Sequence, residues 1–257
     1  LINRRSTPPP LPSWIVGYAA AGTVVAVGSK VRSRTVGDRV AAFHMQGSHA
    51  ERWAVPAERT WLIPDGVGMA EAAALPISFG TAHHCLFTRG MLRQGETVLI
   101  QAAAGGVGLA AVQLASQAGA TVIAVVSGTQ RQGRLRELGA DHVVDRTKDN
   151  IVDSVRQYTH GTGVDLVIDP VGTTLPVSLS ALAPEGRLVF VGNAGGDSLT
   201  VDLWPAMQSN QTLMGVFMGP LFARHGVRTS VDDMLQAVAA GRVTVVIDRI
   251  FPLANAA

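Results

Sequence analysis

One stretch constrains this chain more than any other: Val98-Leu99-Ile100-Gln101-Ala102-Ala103-Ala104-Gly105-Gly106-Val107-Gly108. An apolar run suited to a buried strand leads into a turn of alanine and glycine. A segment with helical spacing follows, in which Val107, Ala111, Leu114 and Ala115 share one face and Gln113, Ser116 and Gln117 supply polar positions. Small side chains at such a strand–turn–helix junction let a pyrophosphate approach the backbone. The free N–H groups at the helix start, at the positive end of its dipole, can then hold it. Gly108 permits close packing of helix on strand. The spacing is Ala102-x-x-Gly105-x-x-Gly108, so alanine replaces the first glycine of the usual G-x-G-x-x-G. The alternative is a tight turn that binds nothing; the strand–turn–helix context favours the dinucleotide.

The surroundings extend that context. Strands are predicted over 97–101, 121–126, 142–144, 164–169 and 187–191, with helices over 107–117, 129–138, 150–158 and 175–182 between them. This alternation predicts an α/β fold, a doubly wound Rossmann parallel sheet with helices on both faces. Residues 1–75 read differently, as turns and short strands. Pro8-Pro9-Pro10-Leu11-Pro12 cannot be helix or inner strand. The β-branched run 22–28 and the stretch 36–43, with a Gly-Asp turn, suggest strands of a small β-rich unit or barrel. A helix over 231–240 and a strand over 243–247 close the chain.

The residue ending the second strand of such a sheet selects between dinucleotides. An NAD-preferring site carries a carboxylate there, about 20 residues past the turn, to grip the ribose hydroxyls. Here the position is Ser127, followed by Gly128-Thr129-Gln130-Arg131. No carboxylate repels a 2′-phosphate, Ser127 and Thr129 can donate to it, and Arg131 can pair with it. The expectation is NADP(H) over NAD(H). Arg131 as a plainly solvated helix residue is the competing reading.

Bulk properties exclude other classes. The 21 basic and 19 acidic residues leave a net charge of +2, and no run of like charge occurs, so binding to nucleic acid or to a membrane surface through charge is not expected. A single cysteine, Cys85, rules out an internal disulfide framework and a multi-cysteine metal site, and fits a reducing, cytoplasmic setting. No apolar run reaches the ~20 residues that span a bilayer. The start, Leu1-Ile2-Asn3-Arg4-Arg5, is unlike a signal peptide and lacks an initiator Met, so the chain reads as beginning inside a longer gene product.

The order of features resembles the medium-chain dehydrogenase/reductase superfamily, specifically its zinc-independent quinone oxidoreductase branch (zeta-crystallin-like). The matching stretches are 17–28, 36–40, 81–86, 89–119, 135–141, 164–172, 186–193 and 247–254, which span almost the whole chain. The resemblance implies a partial GroES-like β-rich domain over 1–80, a Rossmann NADP-binding domain over 81–217, and the start of a return to the first domain over 218–257. It implies NADP(H) in the cleft between the domains. It places Thr81 on the nicotinamide side and Ala104, Gly105, Gly106 and Val107 at the pyrophosphate. Ser127 and Arg131 fall at the 2′-phosphate, Val171 and Gly172 over the cofactor, and Val191, Gly192 and Asn193 beside the nicotinamide. Arg146 departs from the pattern, standing where relatives often have Tyr near the adenine; it could stack there or be solvated.

The resemblance further implies hydride transfer to a small-molecule acceptor, a quinone or an activated carbonyl or enone, with an aldehyde or enoyl-thioester as alternatives. A non-catalytic, crystallin-like NADPH-binding protein is the second reading. A zinc alcohol dehydrogenase is the third, and Gly17-Tyr18-Ala19 argues against it, because zinc-dependent relatives carry Gly-His-Glu there. His83-His84-Cys85 is a ligand cluster by composition only, since adjacent helical residues point about 100° apart. No metal is expected, and no catalytic residue is named, because the family's polar residues beside the nicotinamide fall upstream of Leu1. The family's first strands and last helix and strand also fall outside the chain, so it is expected to be a fragment or a truncated form. A homodimer joined edge to edge through a strand near 212–218 follows from the same analogy.

Overall fold

The computed structural model describes residues 15–196 and 199–255; the proline run over 8–12 lies outside them. The chain divides into two compact units. One comprises 82–217, and the described part of the other comprises 15–81 and 218–255.

In the second unit, strands β1 (Ala19–Thr23), β2 (Arg39–Phe43) and β3 (Thr60–Leu62) form an antiparallel sheet in that order. The expected strand over 22–28 is displaced toward the N-terminus. Beyond Thr23 the β-branched residues have no sheet face to bury, and Val25 is 70% exposed. β-Propensity expresses packing on a half-buried surface, so the run stays irregular without it. Helix α1 (Met69–His83) begins inside the stretch 1–75, whose sequence reads as turns and short strands. Pro76 and Gly80 hide it. The Glu71 carboxylate accepts from the Gly68 N–H at the helix start, and Leu75 and Phe79 are buried. The helix continues as a π-helical turn over His84–Arg89. Cys85 is buried there, and burial pushes its thiol up to about 12, as befits an inert core residue.

The unit of 82–217 holds a sheet of six parallel strands: β4 (Thr97–Ile100), β5 (Thr121–Val126), β6 (His142–Asp145), β7 (Val164–Asp169), β8 (Leu182–Val191) and β9 (Thr212–Val216). Their order across the sheet is β6-β5-β4-β7-β8-β9. Val98, Leu99, Ile100, Leu166, Val167 and Ile168 are wholly buried, as central strands covered on both faces must be. The connections are α2 (Gly106–Gln117), α3 (Gln132–Glu137), α4 (Ile151–Tyr158), α5 (Leu175–Ala181) and α6 (Trp204–Gln208). Asn150 caps α4, its Oδ1 accepting from the Val152 and Asp153 N–H groups at 2.9 and 3.1 Å. Helix α3 starts three residues later than the sequence predicts, after a turn over 129–131. Gln113, read as an outward polar position, is buried in α2 and satisfies itself by donating to the Leu109 carbonyl at 3.0 Å.

The chain returns to the second unit through α7 (Met218–Leu221) and α8 (His225–Ala239). Trp61 of β3 is fully buried there and donates its indole N–H to the Arg228 carbonyl at 3.0 Å. Phe222 packs against Phe43 at a centroid distance of 4.2 Å, the rings tilted by 36°. The expected strand over 243–247 does not form. Val243 and Val245 are buried in alternation, but no neighbouring strand among the described residues pairs with them.

One ion pair ties the residue preceding β4 to β8. Arg187 donates to both carboxylate oxygens of Glu96, at 3.0 and 2.6 Å. Burial pushes the Glu96 carboxyl up, but the hydrogen bonds from Arg187 and from the Arg93 N–H outweigh it and hold the group below the ordinary range. A depressed folded-state value means that this stabilisation is present above the unfolded value near 4.3 and is lost as pH falls through the folded value. Urea titrations are therefore expected to show stability falling with acid below about pH 4.3, with a shallower fall in Glu96→Gln.

Candidate functional site

All six strands of the larger sheet are parallel, so their C-terminal ends form one edge. The chain order reverses at β4 and β7. β5 and β6 lie to one side of this pair and β8 and β9 to the other. Crossovers leave opposite faces at that point and open a crevice, where α/β sheets bind their ligands. The glycine turn sits there.

Its geometry is specific. The Gly105 N–H donates to the Ala102 carbonyl and the Leu109 N–H to the Gly105 carbonyl, at 2.9 and 2.8 Å. No side chain caps α2. The N–H groups of Gly106 and Val107 find no acceptor among the described residues. Gly105 and Gly106 are exposed, and Ala104 and Val107 are half-buried. The helix mouth is thus open, uncharged and lined with unspent donors, which suits a diphosphate. Gly108 is needed for a different reason. A Cβ there would lie 2.5 Å from the Ala102 carbonyl oxygen and 2.6 Å from the Ala103 Cα, both backbone atoms. Gly108→Ala is expected to destabilise the protein by about 1–3 kcal/mol through overpacking, read from the urea midpoint.

Two strand ends flank the turn on one side. Ser127 follows β5 and Arg146 follows β6, and both are exposed. Arg146 donates its Nε–H to the Ser127 hydroxyl at 2.7 Å. Arg131 opens α3 with its carbonyl accepting from the Leu135 N–H at 3.2 Å, while its exposed side chain makes no hydrogen bond or ion pair among the described residues. Asp145 organises the loops. Its Oδ1 accepts from the Thr147 hydroxyl at 2.7 Å, the Gly128 N–H at 2.8 Å and the Thr147 N–H at 3.1 Å. The Thr147 hydroxyl and the Gly128 N–H hold its carboxyl below the ordinary range.

On the other side, β7 ends in Asp169, which is completely buried. Its carboxylate accepts from the Val171 and Gly172 N–H groups at 2.9 and 3.1 Å, and from the Thr174 and Ser178 hydroxyls at 2.7 Å each. The Ser178 hydroxyl in turn accepts from the Gln101 amide at 3.2 Å. Gln101 precedes the glycine turn, so one polar network links the turn to the loop after β7. That loop meets the one after β8. The Gly195 N–H donates to the Val171 carbonyl at 2.9 Å, and Gly172, at φ +85°, leaves no room for a Cβ beside Asn193. Val171, Gly172 and Asn193 are therefore together, with Val191 and Gly192 leading into the same loop. Thr81 is buried within α1, in the other unit. The sequence reading singled out neither Asp169 nor Gln101; a charged or amide residue closing an otherwise apolar strand was the available signal.

Among the described residues, no three His, Cys, Asp or Glu side chains gather as a metal site. His84 and Cys85 are buried and His83 packs edge-on to Phe87 at 4.9 Å. No helix among the described residues is long and apolar enough to cross a membrane.

A family model described as zinc-binding dehydrogenase matches residues 106–240, and one described as alcohol dehydrogenase GroES-like domain matches 2–79. The chain is 36% identical over 251 residues to a quinone oxidoreductase-like protein 2 homolog of Nematostella vectensis, covering 94% of this chain and 67% of that protein. It is 34% identical over 256 residues to a quinone oxidoreductase of Pseudomonas aeruginosa, covering 97% of this chain and 78% of that one. Its fold is similar to the crystal structure of Escherichia coli quinone oxidoreductase complexed with NADPH, with a TM-score of 0.87 and 29% identity over 93% of this chain and 75% of that one.

Proposed function

The chain belongs to the quinone oxidoreductase branch of the medium-chain dehydrogenase/reductase superfamily, and on that premise we propose that it is an NADPH-dependent oxidoreductase that reduces a quinone or an activated carbonyl or enone without zinc. The open helix mouth at Gly105–Gly106–Val107, at the point where strand order reverses, is the observation that carries this reading. NADPH supplies the hydride when bound. The chain's own residues bind and orient it. The Gly106 and Val107 N–H groups hold the pyrophosphate beside Ala104. Ser127 and Arg131 meet the 2′-phosphate, and no carboxylate stands at the end of β5 to favour NADH. The loop carrying Val171 and Gly172 covers the cofactor, braced by Asp169. Val191, Gly192 and Asn193 lie beside the nicotinamide. Positioning and exclusion of water are what such a site contributes to hydride transfer.

The zinc-free part rests on Gly17-Tyr18-Ala19, which offers neither imidazole nor carboxylate, and on the burial of His84 and Cys85. The same reading includes a cytoplasmic, reducing setting, supported by the one buried cysteine. It also includes a homodimer through β9, the edge strand of the sheet, beside which Phe217 is 69% exposed.

The test is NADPH oxidation followed at 340 nm with a panel of quinones and enones, on protein whose zinc content is measured. Turnover with a quinone or an enone in zinc-free protein supports the proposal. Tight NADPH binding with no acceptor reduced replaces it with a binding protein, and stoichiometric zinc removes the zinc-free part.

A further inference from the structure

We infer that a cavity between α5 and α6 binds a small apolar zwitterion, a molecule with an ammonium at one end and a carboxylate at the other, in which Arg156 holds the carboxylate and Asp202 the ammonium. The inference is independent of the cofactor reading, because the cavity shares no residue with the cofactor site.

The cavity lies within the unit of 82–217 and measures about 420 Å³, inside the range of about 300–1,000 Å³ usual for small-molecule sites. Its walls are apolar. Pro176, Pro184 and Pro205 line it, residues with a fixed φ and no N–H to offer. Leu179 and Leu182 are buried against it, and Val201 is half-buried beside them.

Two charged side chains stand at opposite ends. Arg156 donates from Nη1 to the Gly161 carbonyl at 2.7 Å and from Nη2 to the Ser180 carbonyl at 3.2 Å, which places it at the last turn of α5. The Glu185 N–H donates to the Ser209 carbonyl at 2.8 Å, so the end of α6 lies there too, beside the start of β8. Asp202 marks the other end of α6, its Oδ1 accepting from the Trp204 N–H at 3.0 Å. A helix of this length spans about 7 Å, which sets the scale of the separation. Neither side chain forms an ion pair among the described residues.

Both keep capacity for a ligand. The two carbonyls fix the Arg156 guanidinium and leave its other N–H donors unused. The Asp202 Oδ2 accepts nothing among the described residues. Near the Arg156 end, the Ser209 hydroxyl and the Gln211 Oε1 are also without a partner among the described residues, and can meet an amide group. A cation and an anion held apart across apolar walls are satisfied together by a ligand with the opposite charges at matching separation. An extended peptide of two or three residues spans about 7–10 Å, and an ω-amino acid of similar length presents the same pattern.

The experiment is calorimetric titration of the full chain with the tripeptide Val-Leu-Val, with its N-acetylated and C-amidated forms, and with 8-aminooctanoate, for the wild type and for Arg156→Gln and Asp202→Asn. Thermal unfolding checks the variants, and asparagine keeps the cap of α6. Arg156 is half-buried and Asp202 exposed, so the carboxylate end carries the larger effect. Amidation is expected to weaken the tripeptide by about 10-fold. Arg156→Gln weakens the free and acetylated forms by the same factor and leaves the amide unchanged. Acetylation weakens the tripeptide by about 2- to 5-fold, and Asp202→Asn weakens only the forms with a free ammonium. 8-Aminooctanoate binding as tightly as the tripeptide assigns the site to an ω-amino acid, and weaker binding assigns it to a peptide. No saturable binding of either at about 5 mM, or binding that both substitutions leave unchanged, overturns the proposal. If Arg156→Gln does not fold, the wild type decides: equal affinities for the free, acetylated and amidated peptides overturn it.

Discussion

Gly105→Asp is expected to raise the Kd for NADPH by about 100-fold or more while leaving the protein as stable as before. Gly105 is the residue preceding α2, and its backbone is extended (φ −82°, ψ 171°), a conformation open to any residue. Aspartate is a favoured helix cap, and differs from glycine there by only a few tenths of a kcal/mol. The new Cβ would meet the Ala102 carbonyl oxygen at 3.3 Å, so a shift of a few tenths of an ångström accommodates it. The capping carboxylate, however, accepts from the Val107 or Gly108 N–H, competing for the Val107 donor that the pyrophosphate needs, and places a negative charge at the mouth. Stability and binding thus separate in one variant. Nucleotide titration and urea unfolding on the same preparation check it, and an unchanged Kd contradicts the assignment of the mouth.

The second large effect concerns Asp169. Removing its carboxylate in Asp169→Ala strands the Val171 and Gly172 N–H groups and the Thr174 and Ser178 hydroxyls in the interior. Leaving buried partners unmet costs far more than a hydrogen bond contributes net, and a loss of about 3–5 kcal/mol is expected. At roughly 2–4 °C per kcal/mol for a chain of this size, the unfolding temperature should fall by about 6–20 °C. Ser178→Ala removes one donor and the contact to Gln101, and should cost about 1 kcal/mol. Scanning calorimetry distinguishes the two. Equal, small shifts would mean that the network does not brace the loop.

These two sites differ in how far the sequence announces them. The glycine turn is visible because its constraint is local: small residues between an apolar strand and a helical pattern admit few other structures. Even the irregular position behaves as the motif demands. Ala102 replaces the first glycine yet takes the left-handed backbone, at φ +48°, at a cost of roughly 1–2 kcal/mol relative to a residue without Cβ. Asp169 shows in the sequence only as a carboxylate closing an apolar strand, since its meaning depends on four donors brought to it by the fold. Arg146 is intermediate. Its residue type marks it as a departure, but only the pairing of β5 with β6 puts it on Ser127. The parallel sheet is legible from its buried apolar runs. The β-rich unit is less so, because residues such as Val25 and Val243 share one composition whether or not a neighbouring strand pairs with them. Helix α1 is obscured because Pro76 and Gly80 break the local propensity, while burial of Leu75 and Phe79 sustains the helix.

The central claim is that bare amide groups at the start of α2 hold the diphosphate of NADPH. A crystal structure of the chain grown with NADPH tests it most directly. The account predicts the pyrophosphate within hydrogen-bond distance of the Gly106 and Val107 N–H groups. A pyrophosphate bound elsewhere, or a helix mouth closed by another segment of the chain, would contradict it.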